Sequence, residues 1–235
     1  MREVAVLGIG QTQVNEHWAK SLRDLAGDAI LKTVKDANFP EIEAIYVGNM
    51  LSGSASLQQH LGAYIADWVG FRYRQALRVE AACSSGAAAF RSALMAVSSG
   101  EIDSAIAVGV EKMTDSPGAK ITNELATAAD ADWETAHGIS FVGLNALIMQ
   151  RYMHEYKWNH EDFAVFSINA HANAVYNPNA RFRNQISKKD FSNAVIVADP
   201  ITILDASPIG DGAAAALLVP MELLKRQGIQ PIIKV

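Results

Sequence analysis

Apolar residues run in two rhythms along this chain. Short β-branched or alanine-rich runs, Val4–Ile9, Ala44–Val47, Ala76–Ala81 and Ser104–Val110, read as buried strands. Between them lie longer stretches with helical spacing. Leu22, Leu25, Ala26, Ala29, Ile30 and Val34 fall on one face of a helix over Ser21–Ala37, with Ser21 placed to cap it. Leu57–Trp68 is expected to be a second helix and Ser84–Ser99 a third, its many alanines allowing close backbone approach. Repeated strand–helix–strand units argue for a parallel sheet with helices on both faces.

The rhythm breaks after Glu111. Residues 112–140 carry Pro117, two glycines and many small polar residues, with no clear period. Two helical stretches follow, Val142–Tyr156 and His160–Tyr176, the second entered through acidic residues that suit a helix N-terminus and stopped by Asn177-Pro-Asn. Asn193–Ala198 and Ala213–Val219 regain strand character, and a short helix runs from Pro220 to Gln227. The expected organisation is a core of residues 1–111 and 193–228, an inserted loop or cap region over 112–192, and at 229–235 the start of a missing second half.

Composition narrows the functional classes. Half of the 235 residues are hydrophobic, enough for a sizeable core and against disorder. The net charge of −5, with no dense basic run, offers no nucleic-acid footprint. No apolar run approaches a membrane span of about 20 residues. The N-terminus lacks the long apolar region of a signal peptide, and one cysteine builds no disulfide framework. A soluble cytoplasmic α/β protein is expected.

The candidate chemistry centres on Ala81-Ala-Cys83-Ser-Ser-Gly86. It sets the lone cysteine between a strand and a helix N-terminus, where unpaired amides and the helix dipole favour negative charge. That setting suits a thiolate nucleophile and an oxyanion on an acylated sulfur. The alternative is a small buried apolar residue, as free cysteines commonly are. Gly8-Ile-Gly10 follows a strand but lacks the third glycine of a dinucleotide fingerprint, so a strand-ending turn is the reading there. The six histidines form no metal pattern; His137, before Gly138, is placed to contact a ligand. Asp211, between Gly210 and Gly212, reads as a turn-stabilising side chain.

Several segments in order resemble the N-terminal half of a thiolase: Val4-Ala-Val-Leu-Gly-Ile-Gly-Gln-Thr, Val79-Glu-Ala-Ala-Cys-Ser-Ser-Gly-Ala, Val108-Gly-Val-Glu-Lys-Met-Thr-Asp, His137-Gly, Asn169-Ala-His-Ala-Asn-Ala, Asn177-Pro-Asn-Ala-Arg-Phe and Ser207-Pro-Ile-Gly-Asp-Gly. The first and the Asn177 segment most resemble the archaeal and sterol-carrier-protein-type branch. The resemblance implies a thiolase-like layered α/β fold, with one five-stranded mixed sheet, helices on both faces and a loop-rich insertion. It implies acyl transfer between coenzyme A thioesters (acyl-CoA, acetyl-CoA) through a Cys83 acyl-enzyme, with no permanently bound cofactor. His137 and Ser207 would be substrate contacts, with Ser207 on the pantetheine channel.

Thiolases also use a Gly-His-Pro histidine and, in many members, a second cysteine as base; neither occurs here. The chain alone is therefore expected to lack thiolase turnover, as a fragment or split subunit. A non-catalytic assembly or acyl-CoA-binding partner and a ketosynthase-like condensing enzyme are the alternatives. Expected partners are a second copy of the chain, a polypeptide supplying the second half, or a synthase and scaffold of the archaeal type.

Overall fold

The computed structural model describes residues 1–235. In chain order the elements are β1 (Val4–Gln11), α1 (Leu22–Ala37), β2 (Ala44–Gly48), α2 (Leu61–Trp68), β3 (Gln75–Val79), α3 (Ser85–Ser99) and β4 (Ala105–Glu111). They continue with α4 (Gly118–Leu125), α5 (Phe141–Tyr156), α6 (Ala164–Ala174), α7 (Lys188–Ser192), β5 (Ile196–Ala198), β6 (Ile201–Thr202), β7 (Gly212–Pro220), α8 (Met221–Gln227) and β8 (Ile233–Lys234). They form two compact units, one of residues 1–115 with 210–235 and one of residues 116–209.

The first unit is built on a sheet of order β3-β2-β4-β7-β1-β8. β2 pairs in parallel with β3 and β4, whereas β7 is antiparallel to both β4 and β1. The parallel pairing that the strand–helix–strand units suggest holds for β2, β3 and β4, and the sheet as a whole is mixed, as the resemblance implies. Alternation tells which side chains are buried but carries no strand direction, and β7 returns only after a hundred residues have intervened. The sheet also has six strands, not five: β8 lies antiparallel on the outer edge of β1, Ala5 facing Lys234 and Val6 facing Ile233.

Period-two alternation assigns each strand to two cores. Ala5, Leu7, Ile45, Val47, Ile106, Val108, Val110, Leu217 and Val219 face α1, α2 and α8 on one side. Val4, Ala44, Tyr46, Ala105, Ala107 and Leu218 face Ala89, Ala93, Ala96 and Val97 of α3 on the other. Helix α1 starts in a capping box, Ser21 Oγ accepting from Asp24 N–H while Asp24 accepts from the Ser21 N–H at 2.9 Å. It ends at Asn38 in the left-handed region.

The glycines expected to end β1 lie inside the strand. A Cβ on Gly10 would sit 2.2 Å from Ala29 O, and one on Gly8 would sit 2.6 Å from Ala37 Cβ. They are the surface on which α1 packs, and the strand continues through them to Gln11. Helix α2 starts at Leu61, later than its apolar period suggested, because Leu57 and His60 adopt left-handed backbone that breaks a helix.

In the second unit the residues without clear period contain α4, and α5 is capped by Ser140, whose side chain accepts from Gly143 N–H. A second short helix, α7, was not apparent from the pattern either; its capping box pairs Ser187 with Asp190. The expected helix over His160–Tyr176 divides into a 3₁₀ turn at His160–Phe163 and α6. Phe191 is fully buried, with the His160 ring stacked on it at 4.6 Å. Tyr152, Trp158 and Phe163 make an edge-on aromatic cluster, with centroid distances of 5.0 to 5.8 Å.

Candidate active site at the end of the sheet

Strand β3 leads through Glu80 and Ala81 into a 3₁₀ turn, Ala82–Ser84, that runs directly into α3. Ala82 has φ +48°, a backbone conformation that costs a residue with a Cβ about 1 kcal/mol or more. Local hydrogen bonds hold it there. The Glu80 carboxylate accepts from Ala82 N–H at 2.5 Å. Ser85 Oγ accepts from Ala81 N–H at 2.9 Å and donates to Ala82 O at 2.6 Å. Cys83 sits at the centre of this elbow and is exposed, so the small-buried-residue alternative is not met.

The elbow rests on the sheet through glycines. A Cβ on Gly48 would lie 2.3 Å from Ser85 O, and one on Gly109 would lie 3.4 Å from the Cα of Gly86. No side chain fits at Gly48 between β2 and the first turn of α3, so there the helix start is seated on backbone, while Gly109 of β4 is in ordinary contact with Gly86.

Beside the elbow, the turn after β2 is gripped from both sides. Arg78 of β3 donates to Asn49 O and Met50 O at 3.2 and 2.7 Å. Glu111, the last residue of β4, accepts with Oε1 from Met50 and Leu51 N–H at 2.5 and 3.3 Å. Its Oε2 is buried with no hydrogen-bond partner. Burial pushes the Glu111 carboxyl up from its ordinary range, against the amides of Met50 and Leu51, Arg78 and the Asn49 side chain, which pull it down.

A second polar cluster closes the same unit. Asp211 is fully buried. Its Oδ2 accepts from Lys112 Nζ at 2.8 Å, Thr114 Oγ1 at 2.6 Å and His17 N–H at 3.0 Å. Its Oδ1 accepts from the N–H groups of Met113 and Thr114 at 2.8 and 3.0 Å. Burial alone would raise its pKa, but the bonds from Lys112, Thr114 and His17 outweigh it and hold the group at about 2. Lys112, itself buried, also reaches Asp115 at 2.7 Å. Burial opposes its charge, and the two carboxylates overcome that and raise its pKa. Asp211 is therefore far more than the turn stabiliser expected: it ties the loop after β1 and the end of β4 to the start of β7.

His137 and Ser207 belong to the second unit, not to the unit that carries Cys83. His137 ends an exposed 3₁₀ turn, followed by Gly138 at φ +77°. Ser207 lies exposed on an irregular segment, which the Arg181 guanidinium ties to the Asn177 motif by donating to Ile209 O. A cavity of about 340 Å³ in this unit is lined by Ile148, Tyr152, Phe163, Phe166, Ser167 and Asp205. No group of three or more His, Cys, Asp or Glu could hold a metal ion, and no helix is long and apolar enough to cross a membrane.

Comparison with known proteins adds four findings. A family model described as thiolase, N-terminal domain, matches residues 4–222. The chain is 42% identical over 234 residues to an acetyl-CoA acetyltransferase of Methanothermobacter thermautotrophicus, covering 99% of this chain and 61% of that protein. It is 26% identical over 239 residues to bovine sterol carrier protein 2, covering 97% and 43%. A solved Ltp2-ChsH2(DUF35) aldolase superposes with a TM-score of 0.78 at 22% identity, covering 95% of this chain and 57% of that one. The chain thus spans about three-fifths, or less, of the length of these relatives.

Proposed function

Because the chain belongs to the thiolase N-terminal domain family, we propose that it carries the acyl-accepting part of a CoA-dependent acyltransferase, with Cys83 as the nucleophile. The observation that carries this reading is the exposed Cys83 on a left-handed elbow at the start of α3. The thiolate sulfur attacks the carbonyl carbon of an acyl-CoA thioester, and the charge moves to the carbonyl oxygen as a tetrahedral oxyanion. The amides of Ala82, Ser84 and Ser85 are taken up by Glu80, Ala81 O and Ala82 O, so the dipole at the start of α3 is what favours that charge. Collapse breaks the carbon–sulfur bond to coenzyme A, which leaves as a thiolate, and the acyl group stays on Cys83 Sγ.

Condensation with acetyl-CoA then requires removal of a proton from its α-carbon, and thiolysis requires activation of the CoA thiol. Both need a positioned base and an oxyanion partner. The Gly-His-Pro histidine and second cysteine that serve thiolases are not among these 235 residues. The proposed division is therefore acyl uptake here and carbanion chemistry with groups from elsewhere, in a further segment or a second polypeptide. The Ser207 segment is proposed to contact the pantetheine arm and His137 the acyl group, the substrates being CoA thioesters and the compartment the cytoplasm.

The test is CoA-dependent cleavage of acetoacetyl-CoA by these 235 residues, alone and with a chain supplying the Gly-His-Pro segment. Turnover only in the second case is expected. Turnover at an intact enzyme's rate by the 235 residues alone would contradict the division.

Two observations favour assembly. β3 is an edge strand with unpaired backbone and a half-exposed Leu77, suited to pairing with a second copy. A solved neighbour of like fold is described as an Ltp2-ChsH2(DUF35) aldolase, and a partner of the DUF35 type is proposed here. A chain that takes up no acyl group yet pairs through β3 would instead fit a non-catalytic assembly subunit.

A further inference from the structure

Cys83 is held by more than its own elbow. The turn at residues 49–51 meets opposite charges from the two strands that flank β2: the Arg78 guanidinium on the carbonyls of Asn49 and Met50, and the Glu111 carboxyl on the amides of Met50 and Leu51. That turn is joined in two ways to the backbone around Cys83. Asn49 N–H donates to Val79 O at 3.2 Å, four residues before the cysteine. Gly48, next to the turn, bears directly on Ser85 and Gly86, the residues that follow the elbow. A shift of the turn therefore moves both ends of the elbow.

We propose that Arg78 and Glu111 are positioning residues that clamp the 49–51 turn and, through it, hold the Cys83 elbow in its reactive geometry. The proposal rests on the reading of Cys83 as nucleophile but is judged by a separate measurement. Two features favour it over a purely packing role. Oε2 of Glu111 is buried and unpartnered, a costly arrangement for a residue that only fills space. Both side chains also spend their hydrogen bonds on the backbone of a single turn. Arg78 is the charged group acting on Glu111; its other polar neighbours are the amides of Met50 and Leu51 and the Asn49 carboxamide.

The lone cysteine makes the test specific, since iodoacetamide on this chain reports only on Cys83. Arg78→Met and Glu111→Ala each remove hydrogen bonds to the turn, and each is expected to slow alkylation at neutral pH by about fivefold or more. Circular dichroism and urea midpoints identify the folded variants. Glu111→Gln keeps an oxygen for both amides, so its rate at neutral pH is expected to fall less than that of Glu111→Ala. It no longer ionises, however, so a step in the wild-type rate–pH profile above the ordinary carboxylate range should vanish. If the first two variants do not fold, that profile decides alone. Rates unchanged or raised in folded Arg78→Met and Glu111→Ala overturn the proposal, as does a Glu111→Gln profile superimposable on wild type. Acetyl transfer from acetyl-CoA is measured in parallel: its failure in wild type removes the nucleophile reading and leaves the clamp to be judged by alkylation.

Discussion

Replacing Asp211 by alanine should produce one of the largest single-residue losses of stability in the chain. The substitution leaves three backbone donors, the N–H groups of His17, Met113 and Thr114, without their acceptor in a fully buried site. It also leaves buried Lys112 with only the half-exposed Asp115 as counter-ion. An orphaned buried donor costs about 1–3 kcal/mol, and breaking a buried ion pair on one side costs about 3–5 kcal/mol. These terms overlap, so a loss of about 4 kcal/mol or more is expected. With a urea m-value of roughly 3 kcal/mol/M, the midpoint falls by roughly 1.3 M. Tryptophan emission is a suitable probe, because the Trp18 ring lies 5.7 Å from Lys112 Nζ.

Adding Lys112→Met to Asp211→Ala should recover part of the loss, since the unpaired charge is then gone. The same site sets an acid limit. Asp211 is held at about 2, below its ordinary value of 3.8, so its contribution is complete above pH 4 and is lost as pH falls towards 2. That contribution is on the order of 2 kcal/mol. A loss below about 1 kcal/mol for Asp211→Ala, with an unchanged m-value, would refute the reasoning.

Other consequences are read by similar means. Gly10→Val should abolish or severely weaken folding, because even a Cβ there meets Ala29 O at 2.2 Å; normal soluble expression with a wild-type midpoint would contradict the seating of α1. Ser21→Ala should cost about 1 kcal/mol in a urea titration by removing one side of the α1 capping box, and a cost near zero would oppose that role. The Glu111 carboxyl is raised by burial, so ionising it as pH climbs costs stability that Glu111→Gln does not lose. The difference between the two proteins should shift towards Gln from about pH 4.5 upward, and a flat difference would refute a raised Glu111.

Which parts of this were legible beforehand follows from what each residue encodes locally. Helix α1 was readable because its cap, its apolar face and its stop all lie within its own eighteen or so residues. The Cys83 elbow was readable because a buried run, a small-residue turn and an alanine-rich helix follow one another without a gap. The direction of β7 was not, since it depends on where the chain returns after a long excursion. Gly8 and Gly10 looked like punctuation because their partner is a helix surface more than a turn of chain away. Lys112 and Asp211 stand ninety-nine positions apart, and only folding brings their charges to 2.8 Å. A clue to Glu111 and Lys112 was present all the same: two ionisable residues ending an otherwise apolar strand must find partners or stay in solvent.

The central claim is that Cys83 accepts an acyl group from a CoA thioester. It is tested most directly by incubating the chain with acetyl-CoA, then measuring its intact mass and mapping the adduct by peptide sequencing. One acetyl group, located on Cys83, removed by hydroxylamine and absent from Cys83→Ser, is the predicted result. An unmodified Cys83, or an equal adduct on the Cys83→Ser protein, would contradict it.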